Sequence, residues 1–221
     1  MLSRRLAAFA AAVALCVGVA APATASAQDP ILFVHGWSES ASLWNTMIKN
    51  FENDGYPKSY LSAYSYSSNT SNKTLAETEV KSRVEALKKA TGASKVDIIA
   101  HSMGSLNTRW YIKFVAGGEA NVDDWVSLGG PNHGTNTAKL CFSVACEEMR
   151  VGSKFLAELN ATDETPGAVN YGTWWSPCDE IINPVESVIL SGATNTKTAC
   201  MSHTALTTDK TVYEQVREFV K

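Results

Sequence analysis

The sequence has no excess of basic residues: 19 Lys and Arg stand against 22 Asp and Glu, a formal net charge of −3 over 221 residues. Binding nucleic acid through its phosphates needs a basic face, so that class of partner is set aside. No apolar run reaches the ~20 residues of a membrane-spanning helix. The cysteines form no C-x-x-C pair and have no ligand histidine beside them, which argues against a zinc site. There is no carboxylate cluster that would point to calcium, no internal repeat and no domain-scale linker. No metal or cofactor is expected. What is present is an ordinary globular balance, 45% hydrophobic and 19% charged, which excludes disorder, collagen and coiled coil.

The first 27 residues read as a secretory signal peptide. Arg4 and Arg5 give the positive start, Leu6 to Ala20 the apolar centre, and Ala25-Ser26-Ala27 the small-residue cleavage site. Cleavage near Ala27 leaves residues 28–221 as one domain outside the cell. Cys16 leaves with the leader, and Cys141, Cys146, Cys178 and Cys200 remain. An even number in an exported chain implies two disulfides. Three pairings are possible; Cys141–Cys146 and Cys178–Cys200 are favoured.

Strand and helix signals alternate along the chain. Ile31 to Val34, Tyr60 to Tyr66, Val96 to Ala100, Trp125 to Leu128, Ala168 to Trp175 and Val188 to Leu190 read as strands. Between them, Leu43, Met47, Ile48 and Phe51 recur at helical spacing. Thr74-Leu75-Ala76-Glu77 has the form of a capping box, and Gly92 a helix stop. Further helices are expected over Met103 to Val115, over Val151 to Leu159, and after Asp209. This alternation predicts an α/β architecture, a mostly parallel sheet with helices on both faces.

Ala100-His101-Ser102-Met103-Gly104 lies between a strand and a helix. A serine nucleophile sits on such a turn, which is so tight that the residues two before and two after it must be small. The backbone N–H of Met103 then points at the reacting carbonyl oxygen. A second donor, the N–H of Trp37, is expected from the loop His35-Gly36-Trp37 after the first strand, where glycine permits close approach.

Together, Pro30-Ile31-Leu32-Phe33-Val34-His35-Gly36, Val96-Asp97-Ile98-Ile99-Ala100-His101-Ser102-Met103-Gly104 and Ser127-Leu128-Gly129-Gly130-Pro131 resemble the small secreted bacterial lipases of class 2. The resemblance implies a minimal α/β-hydrolase fold and carboxylic ester hydrolysis. It is strong from Pro30 to Gly134 and loose afterwards, and Thr137 to Thr165 is not covered by it.

A serine hydroxyl needs a histidine base, and the base needs a carboxylate that fixes its tautomer. His101 adjoins the nucleophile, so its ring points elsewhere, and His35 belongs to the oxyanion loop. His133 would need Asp123 or Asp124, which precede a strand at the wrong end of the sheet. His203 follows the last expected strand and satisfies the chain order serine, acid, histidine. The acid should follow the strand that ends at Trp175. Asp179 fits, and it matches the family's aspartate ahead of an apolar run; Glu180 is the runner-up and Asp163 lies before the strand. A Cys178–Cys200 bridge would tie the acid loop to the base loop.

Only residues 130–167 are available for a lid, so a shallow, open site without a large cap is expected. Trp37, Trp174 and Trp175 lie near the catalytic loops, where aromatic walls would suit an apolar acyl chain. These features predict a secreted, monomeric lipase or esterase acting on esters with an apolar acyl group, at a lipid–water interface among other settings. A cutinase-like polyesterase would use the same machinery. A non-catalytic binding domain on a hydrolase scaffold is the alternative of another class.

Overall fold

Runs rich in Ile, Val, Leu and Phe, too short for helices, become strands covered on both faces. The computed structural model describes residues 28–221; the expected signal peptide, residues 1–27, lies outside the described residues. The strands are β1 (Ile31–Val34), β2 (Leu61–Tyr64), β3 (Val96–His101), β4 (Val122–Leu128), β5 (Asn170–Trp175) and β6 (Thr194–Lys197). They form one six-stranded sheet in the order β2-β1-β3-β4-β5-β6, with every neighbouring pair parallel. All residues of β1 and β3, at its centre, are buried.

Side chains alternate between two cores. Ile31, Phe33 and Ile99 pack with Met47 and Phe51 of helix α1 (Asn45–Asn53) and with Val212 and Val216 of the terminal helix (Lys210–Phe219). Leu32, Val34 and Ile98 pack on the opposite face. There they meet a helical segment made of α2 (Asn72–Leu75), a π turn (Ala76–Val80) and α3 (Lys81–Thr91), and helix α4 (Gly104–Phe114). A short helix, α5 (Gly118–Asn121), leads into β4. Asp209 caps the terminal helix by accepting the N–H of Val212, as its sequence position implies.

Three expectations are corrected. The helix expected to open at Thr74 begins at Asn72, because Ser71 caps it and the Glu148 carboxylate, from a distant segment, accepts the Asn72 N–H at 2.6 Å. Two helices, α6 (Val144–Met149) and α7 (Lys154–Leu159), replace the one expected from Val151. Ser143 and Ser153 cap them, and the Cys141–Cys146 disulfide clips the first. Val185–Val188 is a 3₁₀ turn, and the sixth strand comes later, as Thr194–Lys197, a mostly exposed polar edge. With these two helices placed, the terminal helix is α8.

Candidate active site

Parallel strands all present their carboxyl ends on one side, and every residue of the site follows such an end. Ser102 follows β3. Its φ is +53°, a left-handed conformation rarely adopted by a residue with a Cβ. That strain is the signature of a side chain forced out of a sharp turn. The turn is packed too closely for larger neighbours: a Cβ on Gly104 would come within 2.6 Å of the His35 and Val34 carbonyl oxygens. Ala100 is fully buried.

The loop after β1 approaches from one side. A Cβ on Gly36 would lie 2.7 Å from the Cβ of Ser102, so only glycine lets this loop sit against the Ser102 turn. His35 holds it in place. Its Nδ1 bonds the Gly36 carbonyl at 2.8 Å, its Nε2 accepts the Tyr66 N–H at 3.2 Å, and its ring stacks on Tyr66. The N–H groups of Trp37 and Met103 make no hydrogen bond to other groups among the described residues.

His203 and Asp179 arrive from loops after β6 and β5. The His203 Nδ1 lies 2.7 Å from Asp179 Oδ2. The other carboxylate oxygen, Oδ1, accepts the N–H groups of Ile181 and Ile182, both at 2.9 Å. One oxygen is therefore tied to the backbone and the other faces the ring. Glu180, the runner-up acid, has a different partner: it accepts the backbone N–H of His203 at 3.0 Å. The Cys178–Cys200 disulfide joins the two loops. Ser176 adds a second tie, donating to the Met201 carbonyl at 2.6 Å. The His203 ring fits against Gly129, where a Cβ would meet Cε1 at 3.0 Å. His203 Nε2 is buried and has no hydrogen-bond partner, and the residue borders the same cavity as Ser102.

The electrostatics suit a neutral base and an ionised acid. Burial pushes the Asp179 carboxyl up, but the hydrogen bond and charge of His203 and the two amides bring it below the ordinary value. Burial holds the His203 pKa below the ordinary value, the charge of His101 adds to this, and Asp179 opposes it in part. His133 lies outside this arrangement, with its Nε2 2.6 Å from Glu164 Oε1.

The cavity beside Ser102 has a volume of about 410 Å³. Trp37, Ala138, Leu140, Met149, Ile181 and Ile182 give it apolar walls. Residues 130–167 thus supply one wall, through Pro131, Thr135, Ala138, Leu140 and Met149, rather than a large cap. Trp37 lies in this lining, but the other two expected tryptophans do not. Trp174 is only 2% exposed, packs edge-on against Phe219, and donates to Gln215 at 3.0 Å. Strand alternation turns it into the α1–α8 core. Trp175 lies at the end of β5 beneath the Lys197 ammonium, away from the cavity. Ile181 and Ile182, beyond the acid, take the place expected for them.

Comparison with known proteins bears on the fold and the family. The mature Bacillus licheniformis lipase BlEst2 superposes with a TM-score of 0.77 at 17% identity, covering 92% of this chain and 96% of that one. Aspergillus fumigatus lipase B superposes with a TM-score of 0.72 at 18% identity, over 84% of this chain and 51% of the other; this chain matches about half of that enzyme's length. At such identities the likeness is one of fold. The family model for lipases of class 2 matches residues 28–220. That match takes in every strand and helix described above, and the chain belongs to the class 2 lipase family.

Proposed function

We propose that the protein is an exported lipase or esterase that cleaves carboxylic esters through an acyl-enzyme on Ser102. The observation that carries this reading is the contact between His203 Nδ1 and Asp179 Oδ2 at 2.7 Å, with the opposite ring nitrogen buried and unpartnered and with His203 and Ser102 bordering the same cavity. Ser102 Oγ attacks the ester carbonyl, and His203 Nε2 takes its proton. Asp179 fixes the ring with Nδ1 protonated and stabilises the imidazolium that forms. The N–H groups of Trp37 and Met103 receive the oxyanion, a contribution of about 3 kcal/mol for each such donor. His203 returns the proton to the leaving alcohol, and water then repeats the sequence on the acyl-enzyme.

The apolar lining suits an acyl chain. Leu140, in the cavity lining, is 81% exposed, and the chain just beyond it carries Phe142, 85% exposed, and a half-exposed Val144. Exposed apolar side chains close together in the chain favour contact with a lipid surface. The two disulfides agree with an oxidising destination and so with removal of residues 1–27 by export.

A fluorophosphonate probe tests the chemistry. The expected outcome is stoichiometric labelling of the mature protein at Ser102, lost in Ser102→Ala together with ester hydrolysis. Hydrolysis that survives Ser102→Ala overturns the reading, and an unlabelled wild-type protein supports a non-catalytic scaffold. An acyl-chain series with emulsified triglyceride and polyester film then separates esterase, lipase and polyesterase.

A further inference from the structure

The ring of His101, next to the nucleophile, is completely buried. Its Nδ1 lies 2.9 Å from Glu39 Oε2, and its Nε2 lies 3.2 Å from the backbone oxygen of His203. A carboxylate and a carbonyl only accept. A neutral imidazole has a single N–H, so it would satisfy one partner and set a lone pair against the other. The same Glu39 oxygen accepts the Gly36 N–H at 2.7 Å. Gly36 precedes Trp37, whose amide is the oxyanion donor proposed above. One carboxylate therefore holds the oxyanion loop, and one ring joins it to the backbone of the base.

We infer that Glu39, at the cavity edge, and the buried His101 form a carboxylate–imidazolium pair that positions the oxyanion loop against His203 and neutralises the Glu39 charge beside the oxyanion. The inference rests on the roles proposed above for Ser102 and His203. A lone carboxylate bordering the cavity would oppose the negative charge that develops on the ester oxygen. The imidazolium cancels that opposition without removing the hydrogen bond to Gly36. The Glu39 carboxyl is held in the ionised form: burial raises its pKa, but the hydrogen bond and charge of His101 and the Gly36 amide bring it below the ordinary value. The other charged or titratable groups facing His101 are His203, with ring centroids 4.5 Å apart, and His35, with Asp179 behind His203.

Both residues are positioning residues, and two measurements on the mature chain test them. Ring nitrogen NMR of the ¹⁵N-labelled wild-type protein, at the pH where it is most active, should show both nitrogens of His101 protonated. A singly protonated His101 overturns the pair. Kinetics on a soluble short-chain ester give the second test. His101→Gln leaves the Glu39 charge uncompensated and should lower kcat by about 100-fold with little change in KM. Adding Glu39→Gln should restore about 10-fold, because the opposing charge is gone. A double variant no better than His101→Gln would mean a packing role only and overturn the inference. If His101→Gln does not fold, the NMR result decides. A wild-type protein that fluorophosphonate fails to label at Ser102 overturns the underlying reaction and the positioning role with it. Normal labelling with a singly protonated His101 overturns the pair alone.

Discussion

The two ends of the sheet both bury carboxylates, and they treat them in opposite ways. At the carboxyl end, Asp179 and Glu39 have pKa values held below the ordinary range, because backbone N–H donors and the neighbouring histidine rings outweigh burial. At the amino end, Asp97 of β3 is 1% exposed, and its carboxyl is pushed up to about 9, first by burial and then by the nearby Asp124 and Asp29. Asp124 is pushed up to about 6, again by burial first, and Asp29 is raised as well. Asp97 has one backbone donor, the Asp124 N–H at 3.2 Å. Burial is therefore common to both ends, and the supply of donors separates them. The most strongly displaced carboxyl among these lies on the side of the sheet away from the cavity, so displacement by itself does not mark the site.

The sharpest way to break this comparison is to remove one charge from each end. Asp179→Asn should lower kcat/KM by about 10⁴-fold, since the amide favours the wrong ring tautomer. Asp97→Asn should leave kcat/KM within about twofold, because the two sites are far apart and share no partner. Steady-state rates on a chromogenic ester decide, and a large loss at Asp97 would erase the distinction. The disulfides give the next contrast. Replacing Cys178 and Cys200 with serine opens a loop whose ends are 22 residues apart in sequence. It should cost about 3 kcal/mol in urea unfolding and about tenfold in kcat, as the acid and base loops loosen. The same change at Cys141 and Cys146 opens a loop with a separation of 5 and should cost about 2 kcal/mol, with kcat nearly unchanged. Equal activity losses from the two pairs would refute a special tie between the loops.

The carboxyl end was the more legible in the sequence, and for a physical reason. A nucleophile turn needs small residues at fixed offsets, and an oxyanion loop needs a glycine, so Gly36, Ala100, Ser102 and Gly104 announce themselves locally. The proposed acid and base, Asp179 and His203, are placed at this end by their order after the strands. Glu39 is not, because its partners Gly36, His101 and the cavity meet only after folding. The expectation that Trp174 lines the site fails because closeness along the chain does not say which face of β5 a residue takes, and the face it takes is the core. The sixth strand, expected at Val188 to Leu190, lies instead at Thr194–Lys197 for the opposite reason: an edge strand reading Thr-Asn-Thr-Lys has no buried face to give it an apolar pattern. Ser143 and Ser153 cap α6 and α7, in a segment with too little apolar periodicity to announce two short helices.

Asp97 supplies the smallest effect and the cleanest sign. Its carboxyl takes up its proton near pH 9 in the folded chain and near the ordinary value of 3.8 when unfolded. Below pH 3.8 both states hold the proton and the group is neutral in the balance. As pH rises toward 9, the unfolded chain releases the proton while the folded one retains it, so the group's contribution falls across that window. Asp97→Asn keeps an oxygen for the Asp124 N–H and has no proton to lose. Even a tenfold bias in the proton equilibrium is about 1.4 kcal/mol, or about 4 °C in Tm for a domain of this size. The variant should therefore melt about 4 °C or more above wild type at pH 8 and alongside it near pH 4. Calorimetry at the two pH values checks this. The amino end would then be a place where the fold holds a carboxyl against its chemistry, while the carboxyl end holds one in the form the chemistry uses; equal melting at both pH values would remove that difference.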